Sequence, residues 1–109
     1  MEIDFKDEKL REMCERRETA ERKLGAPCAR KLRSRLADLQ AALVVSDLVA
    51  GRPHPLAGKR AGQFALDLEG GRRLVLEPDH QPIPRRDGGA IDWSRITKVR
   101  IVFVGDYHD

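Results

Sequence analysis

The sequence predicts an α+β domain in which helices lie on one face of a small, mainly antiparallel sheet, and three observations carry that prediction. Leu32, Leu36, Leu39 and Leu43 recur at helical spacing as an apolar seam. Two alternating segments, 63–68 and 73–77, flank the turn-forming Glu69-Gly70-Gly71. A β-branched run at 98–104, KVRIVFV, has the composition of a central strand.

Taken in order, Glu2-Ile3-Asp4-Phe5-Lys6 alternates polar and apolar, which predicts a short strand with Ile3 and Phe5 inward. Residues 7–24 read as one charged, thinly amphipathic helix with Leu10, Met13, Cys14, Ala20 and Leu24 near one stripe, stopped by Gly25-Ala26-Pro27. A second helix begins at Pro27 and carries the leucine seam. Each seam is too narrow to form a core alone, so the later strands must cover both. Phe64, Leu66 and Leu68 share a face of the first of these strands, and Leu74 and Leu76 a face of the second, with Arg73 pointing away. The Pro- and Gly-rich residues 78–92 cannot continue a ladder and read as a loop insertion. The last strand then places Val99, Ile101 and Phe103 on one side. Cys14 and Cys28 are thiols filling the helix hairpin, and Trp93 caps the sheet edge.

A chain of 109 residues suits one domain, 1–109. Its 21 Lys+Arg and 18 Asp+Glu leave a net charge of only +3, so position along the chain matters more than the total. The bases concentrate in the middle: Arg30, Lys31, Arg33 and Arg35 against Asp38, then Arg52, Lys59, Arg60, Arg72 and Arg73 against Asp67 and Glu69. That distribution suits docking to a polyanion, and equally suits a solvated helix face. No apolar run approaches the ~20 residues of a membrane helix, and the start MEIDFKDEKL is acidic where a secretory peptide is basic, then apolar. The expectation is a cytoplasmic protein with no membrane association.

Three histidines are candidates for chemistry. His54 is fixed between Pro53 and Pro55, His80 lies in the loop as a solvated residue, and His108 follows Asp106 and Tyr107 beyond the last strand. No pair among His54, Asp106 and His108 has a recognised ligand spacing, so neither a metal nor another cofactor is expected.

The succession His54-Pro55-Leu56, then Gly58-Lys59-Arg60-Ala61-Gly62-Gln63-Phe64, the strand Arg73-Leu74-Val75-Leu76 and the terminal Val104-Gly105-Asp106-Tyr107-His108 resembles the HigB-like branch of the RelE/ParE toxin superfamily over nearly the whole chain. Two departures stand out. The 78–92 loop is longer than in a compact member, and Ala57 stands where many relatives have Lys. The resemblance implies two N-terminal helices on a small antiparallel sheet and a type II toxin that cleaves messenger RNA under translation on the ribosome. It implies inhibition by a helix-turn-helix, HigA-like antitoxin, through which promoter DNA is met only indirectly. By the same resemblance His108 is the principal acid/base and His54 the second proton-transfer or orienting group, while Arg73 binds the scissile phosphate. Asp106 and Tyr107 position the nucleotide or orient His108, although Tyr107 equally fits packing on the helices and Asp106 a tail anchor. Lys59, Arg60 and Arg72 supply further phosphate contacts, with Lys59 or Arg60 standing in for the Lys missing at Ala57. A non-catalytic ParE-like inhibitor of a topoisomerase and a plain nucleic-acid-binding module are the competing functions.

Overall fold

The computed structural model describes residues 1–107. The chain runs β1 (Glu2–Phe5), α1 (Glu8–Glu15), α2 (Arg17–Leu24), α3 (Ala26–Ala41), β2 (His54–Pro55), β3 (Phe64–Asp67), β4 (Arg73–Pro78) and β5 (Lys98–Gly105). The five strands form one mixed sheet in the order β1-β5-β4-β3-β2. Only β1 and β5 pair in parallel; the other neighbours are antiparallel. The predicted α+β class and the interior position of the β-branched strand are both observed.

Asp7 starts α1 because its carboxylate accepts the Leu10 N–H, one of the donors a helix N-terminus leaves without an internal partner. The helix predicted over 7–24 is divided at Arg16, which adopts extended backbone (φ −112°, ψ 115°). Packing explains the division. No residue of α1 is fully buried, and it lies against β1 and β5, whereas α2 buries Thr19, Ala20 and Leu24 and packs on α3. One straight helix could not send its apolar stripe to both places. Gly25 then joins α2 to α3 at φ +83°, a conformation that favours glycine.

On α3, Cys28, Ala29, Leu32 and Leu39 are buried against Leu66, Leu74, Leu76, Ile96, Val99 and Ile101 of the second half. This is the cover that the narrow helical seams require. Leu43, predicted as the last residue of the seam, lies beyond the helix end at Ala41 and is 79% exposed. The predicted turn at 69–71 joins β3 to β4, with Gly70 at φ +68° and the Leu68 N–H donating to the Arg72 carbonyl. Burial pushes the Cys14 thiol up to about 12, with the neighbouring Glu15 adding to the shift, so it stays protonated at neutral pH and serves as a packing group.

A register shift corrects the reading of β5. Val75 pairs with Phe103 but Leu76 with Ile101, so Val102 is an extra residue in the ladder. Such a bulge reverses which face the following residues meet. Val99, Ile101 and Val104 therefore face the helices, and Phe103, predicted to join them, turns to the opposite face.

The 79–92 loop is also more structured than a solvated insertion. His80 Nε2 accepts the Thr97 and Lys98 N–H groups at 3.0 and 3.2 Å, tying the loop to the start of β5. Arg85 and Ile91 form an antiparallel bridge within it. Replacing His80 with Ala exchanges these two contacts for water on solvent-exposed donors, and we expect a loss of about 0.5–1.5 kcal/mol in denaturant unfolding. No measurable loss would make the His80 contacts incidental.

Candidate functional site on the open face of the sheet

The face turned away from the helices gathers most of the residues singled out by sequence. His54 opposes Ala65, and two residues along β3 Asp67 opposes Arg73, which in turn opposes Gly105 on β5. Side chains directly opposite one another share a face, so His54, Asp67, Arg73 and Phe103 lie on one surface. Cross-strand spacing of about 4.8 Å puts His54 and Phe103, three strands apart in one register row, about 14 Å from each other, with Arg73 and Asp67 two residues along the strands.

Asp67 is the electrostatic centre of this surface. Its carboxylate accepts from Arg52 Nε at 2.8 Å through one oxygen, and its other oxygen forms an ion pair with Arg73, whose Nε lies 2.9 Å away. Arg73 Nη1 also donates to the Gly71 carbonyl at 2.8 Å. These contacts fix the plane of a guanidinium that has five N–H donors in total. Burial alone would push the Asp67 carboxyl up. The Arg52 hydrogen bond and the charges of Arg73, Arg52 and His54 together outweigh it and hold the group below the ordinary carboxylate range.

A carboxyl whose folded pKa lies below its unfolded value adds stability at pH above the unfolded value, about 3.9, and loses it as pH falls through the folded one. Wild type and Asp67→Asn should therefore differ most in melting temperature above pH ~4, and their curves should converge in acid. Parallel curves down to pH 2 would contradict the Asp67 assignment.

Arg52 and Asp67 join the site through the structure and carry no motif in the sequence. Arg52 sits at φ +47°, in the left-handed region that non-glycine residues rarely adopt, and is preceded by Gly51 at φ +83°. Space is also tight there: a Cβ on Gly51 would meet Arg35 Cδ at 2.9 Å and the Asp67 carbonyl at 3.3 Å. The strained segment delivers Arg52 to Asp67 and its carbonyl to His54, whose Nδ1 lies 2.7 Å from the Arg52 oxygen. A carbonyl only accepts, so Nδ1 carries the proton and Nε2 is the acceptor nitrogen of the neutral ring.

Beside this cluster, the Arg60 guanidinium lies 4.1 Å from the Tyr107 ring centre and 4.9 Å from that of Phe103, and the two rings meet edge to face. The bulge at Val102 makes this stack by bringing Phe103 to the open face. Tyr107 is thus packed over the sheet and not on the helices. Lys59 is exposed on the 58–60 turn, and Asp106 is exposed next to Tyr107. Arg72 is placed apart from the others. Its Nη1 donates to the Leu24 carbonyl at the end of α2, on the helix side of the sheet. His108 lies outside the described residues. Among those described, no three His, Cys, Asp or Glu side chains are grouped to hold a metal ion, and no helix is long and apolar enough to cross a membrane.

No family model and no curated protein matches the chain. Solved structures do. A YoeB/ParE toxin from Agrobacterium tumefaciens aligns over 99% of this chain and 100% of its own, with a TM-score of 0.59 and 12% identity. The chain has the YoeB/ParE toxin fold. A chain of a YoeB-YefM complex from Staphylococcus aureus aligns over 100% of this chain and 98% of its own, with a TM-score of 0.59 and 14% identity. The arrangement expected from the sequence, helices on one face of a small, mainly antiparallel sheet, is present in the backbone, with α1 and α2 where one helix was predicted.

Proposed function

We propose that this protein is the toxin of a type II toxin–antitoxin pair, of HigB-like type, and that it is a metal-independent endoribonuclease acting in the cytoplasm on messages under translation. The observation that carries the reading is the convergence of His54, Arg73, Arg52 and the Arg60–Tyr107 stack on the open face of the sheet around Asp67. The toxin role is supported by the YoeB/ParE fold, and the antitoxin partner by the YoeB-YefM complex among the similar structures. The HigA-like, helix-turn-helix character of that partner, and its indirect link to promoter DNA, follow from the sequence resemblance.

RNA cleavage without a metal forms one bond to phosphorus, breaks another and moves two protons. The 2′-oxygen attacks phosphorus as its proton passes to a base, and the bond to the 5′-oxygen breaks as that oxygen receives a proton from an acid. The products are a 2′,3′-cyclic phosphate and a 5′-hydroxyl. In this scheme His54 takes the first proton on Nε2, the acceptor nitrogen when Nδ1 donates to the Arg52 carbonyl. His108 supplies the second in this scheme. Arg73 binds the phosphate oxygens as negative charge develops on them, its orientation set by Asp67 and Gly71. Asp106 and Tyr107 position the nucleotide, and Lys59 with Arg60 adds positive charge along its path.

Induction of wild type, His54→Ala and His108→Ala in a bacterial host, with 5′ ends mapped on a translated message, tests this. Wild type is expected to arrest growth and cut within translated codons, and each variant to lose about 10²- to 10⁴-fold in cutting. Arrest without cuts, unchanged in both variants, would overturn the reading in favour of a ParE-like inhibitor. Steeply salt-dependent RNA binding with no product would leave a binding module.

A further inference from the structure

Beyond the residues assigned to bond cleavage, we propose that the groove between the 79–92 loop and the far end of the open face is a subsite for a nucleotide flanking the cleaved one. The inference rests on the endoribonuclease reading above. It adds a site of base preference that the loop insertion builds.

Continuity with the cluster comes from register. Glu77 pairs with Arg100 on the same face as Arg73 and Phe103, four residues along β4 from Arg73 and so about 13 Å away. That span is within reach of the next nucleotides of an extended strand. A cavity of about 530 Å³ opens there, lined by Gln63, Glu77, Arg100 and the loop's Arg85 among others. A second, of about 680 Å³, shares Ala61, Gly62, Arg85 and Ile91 with it and continues past Arg86 to Trp93 and to Pro55, the residue after His54. The groove thus leaves the open face beside the proposed reaction centre and rounds the end of the sheet.

Its chemistry suits one single-stranded nucleotide. Polar groups with both donors and acceptors line the first cavity, which is what recognition of an unpaired base edge needs. Trp93, packed on Phe64 with ring centres 4.9 Å apart, gives the second an aromatic wall. Local charge favours a phosphate. Arg100 pairs with both Glu77 and Asp79, at 3.0 and 2.7 Å, and Arg95 holds Asp92 at 2.9 Å, so each of these acids has an arginine partner. The positive charge sits in the second cavity, whose lining holds Arg85, which donates to the Gly89 carbonyl, and Arg86, which stands 3.8 Å from Asp92, and no carboxylate.

The test compares cut maps of a pool of translated messages for wild type, Arg85→Ala and Arg86→Glu. Arg85→Ala removes a loop contact, so Arg86→Glu serves as the second variant: the backbone bonds of Arg86 to Ala90 and of Gly89 to Arg86 do not involve its side chain. Both variants should cut about tenfold more slowly, with a weakened preference for the base beside the cut, and Arg86→Glu should do so with an unchanged melting curve. Unchanged maps would overturn the subsite, and so would a uniform slowing with the preference intact, which would place the arginines on another polyanion. A wild type that cuts without any flanking preference overturns it as well. Absence of wild-type cuts is a different result, because it removes the endoribonuclease reading itself.

Discussion

Arg73→Ala should slow message cutting by about 10³-fold while leaving the protein folded. Removing one preorganised donor from a developing oxyanion typically costs about 10²- to 10³-fold, or roughly 2.7–4 kcal/mol of barrier. Arg73 is expected at the upper end because Asp67 and Gly71 already hold its guanidinium in place, so no reorganisation is needed when charge builds. Its cost to stability should be small. The Asp67–Arg73 pair is partly solvated, with the side chains 29% and 26% exposed, and Asp67 keeps Arg52 as a partner. Arg73→Lys should restore charge without the planar fork and recover only part of the rate. Cutting rates on a translated message, measured beside a melting curve for each variant, check all three expectations. A variant that melts with wild type and still cuts at the wild-type rate would remove Arg73 from the reaction.

Leu76→Ala should behave in the opposite way. Leu76 is fully buried at the middle of the sheet, facing the helices between Phe64 and Ile101. Truncating such a leucine costs about 2–5 kcal/mol in lost burial and cavity formation. For a domain of this size each kcal/mol moves the melting temperature by roughly 4 °C or more, so a drop on the order of 10–20 °C is expected. Below that temperature the open face is unaltered, and cutting per folded molecule should stay near wild type. Together the two substitutions separate the face that folds the protein from the face that acts.

That separation was partly legible in the sequence. Alternation in 63–68 and 73–77 set Leu66, Leu74 and Leu76 against Arg73, and the structure keeps those sides. The leucine seam located α3 because its period is unambiguous as far as Leu39. Where the pattern was degenerate, the reading slipped. Ile101-Val102-Phe103-Val104 is apolar at every position, so no alternation marks the bulge that sends Phe103 to the open face. Residues 7–24 are good helix formers throughout, and the break at Arg16 is imposed by packing on different partners. His80 looked like any loop histidine because its partners, Thr97 and Lys98, are distant in sequence.

Site residues divide along the same line. His54, Arg73 and Tyr107 were found through motif order, and the fold places them on one face. Arg52 and Asp67 were passed over because their pairing spans fifteen residues of chain. The usable signal was local: Gly51 and Pro53 bracket Arg52, the punctuation of a backbone forced into an uncommon turn. Arg72, adjacent to Arg73 and expected with it among the phosphate contacts, is sent by strand alternation to the Leu24 carbonyl on the other side.

The central claim is that the open face cuts RNA by attack of a 2′-hydroxyl. Its most direct test is a reconstituted translation reaction given a message with a single 2′-deoxynucleotide at a mapped cut position. The account predicts that wild-type protein leaves this position intact while cutting neighbouring ribonucleotide sites, with cyclic phosphate and 5′-hydroxyl ends. Cutting at the deoxy position, or ends of another chemistry, would contradict it.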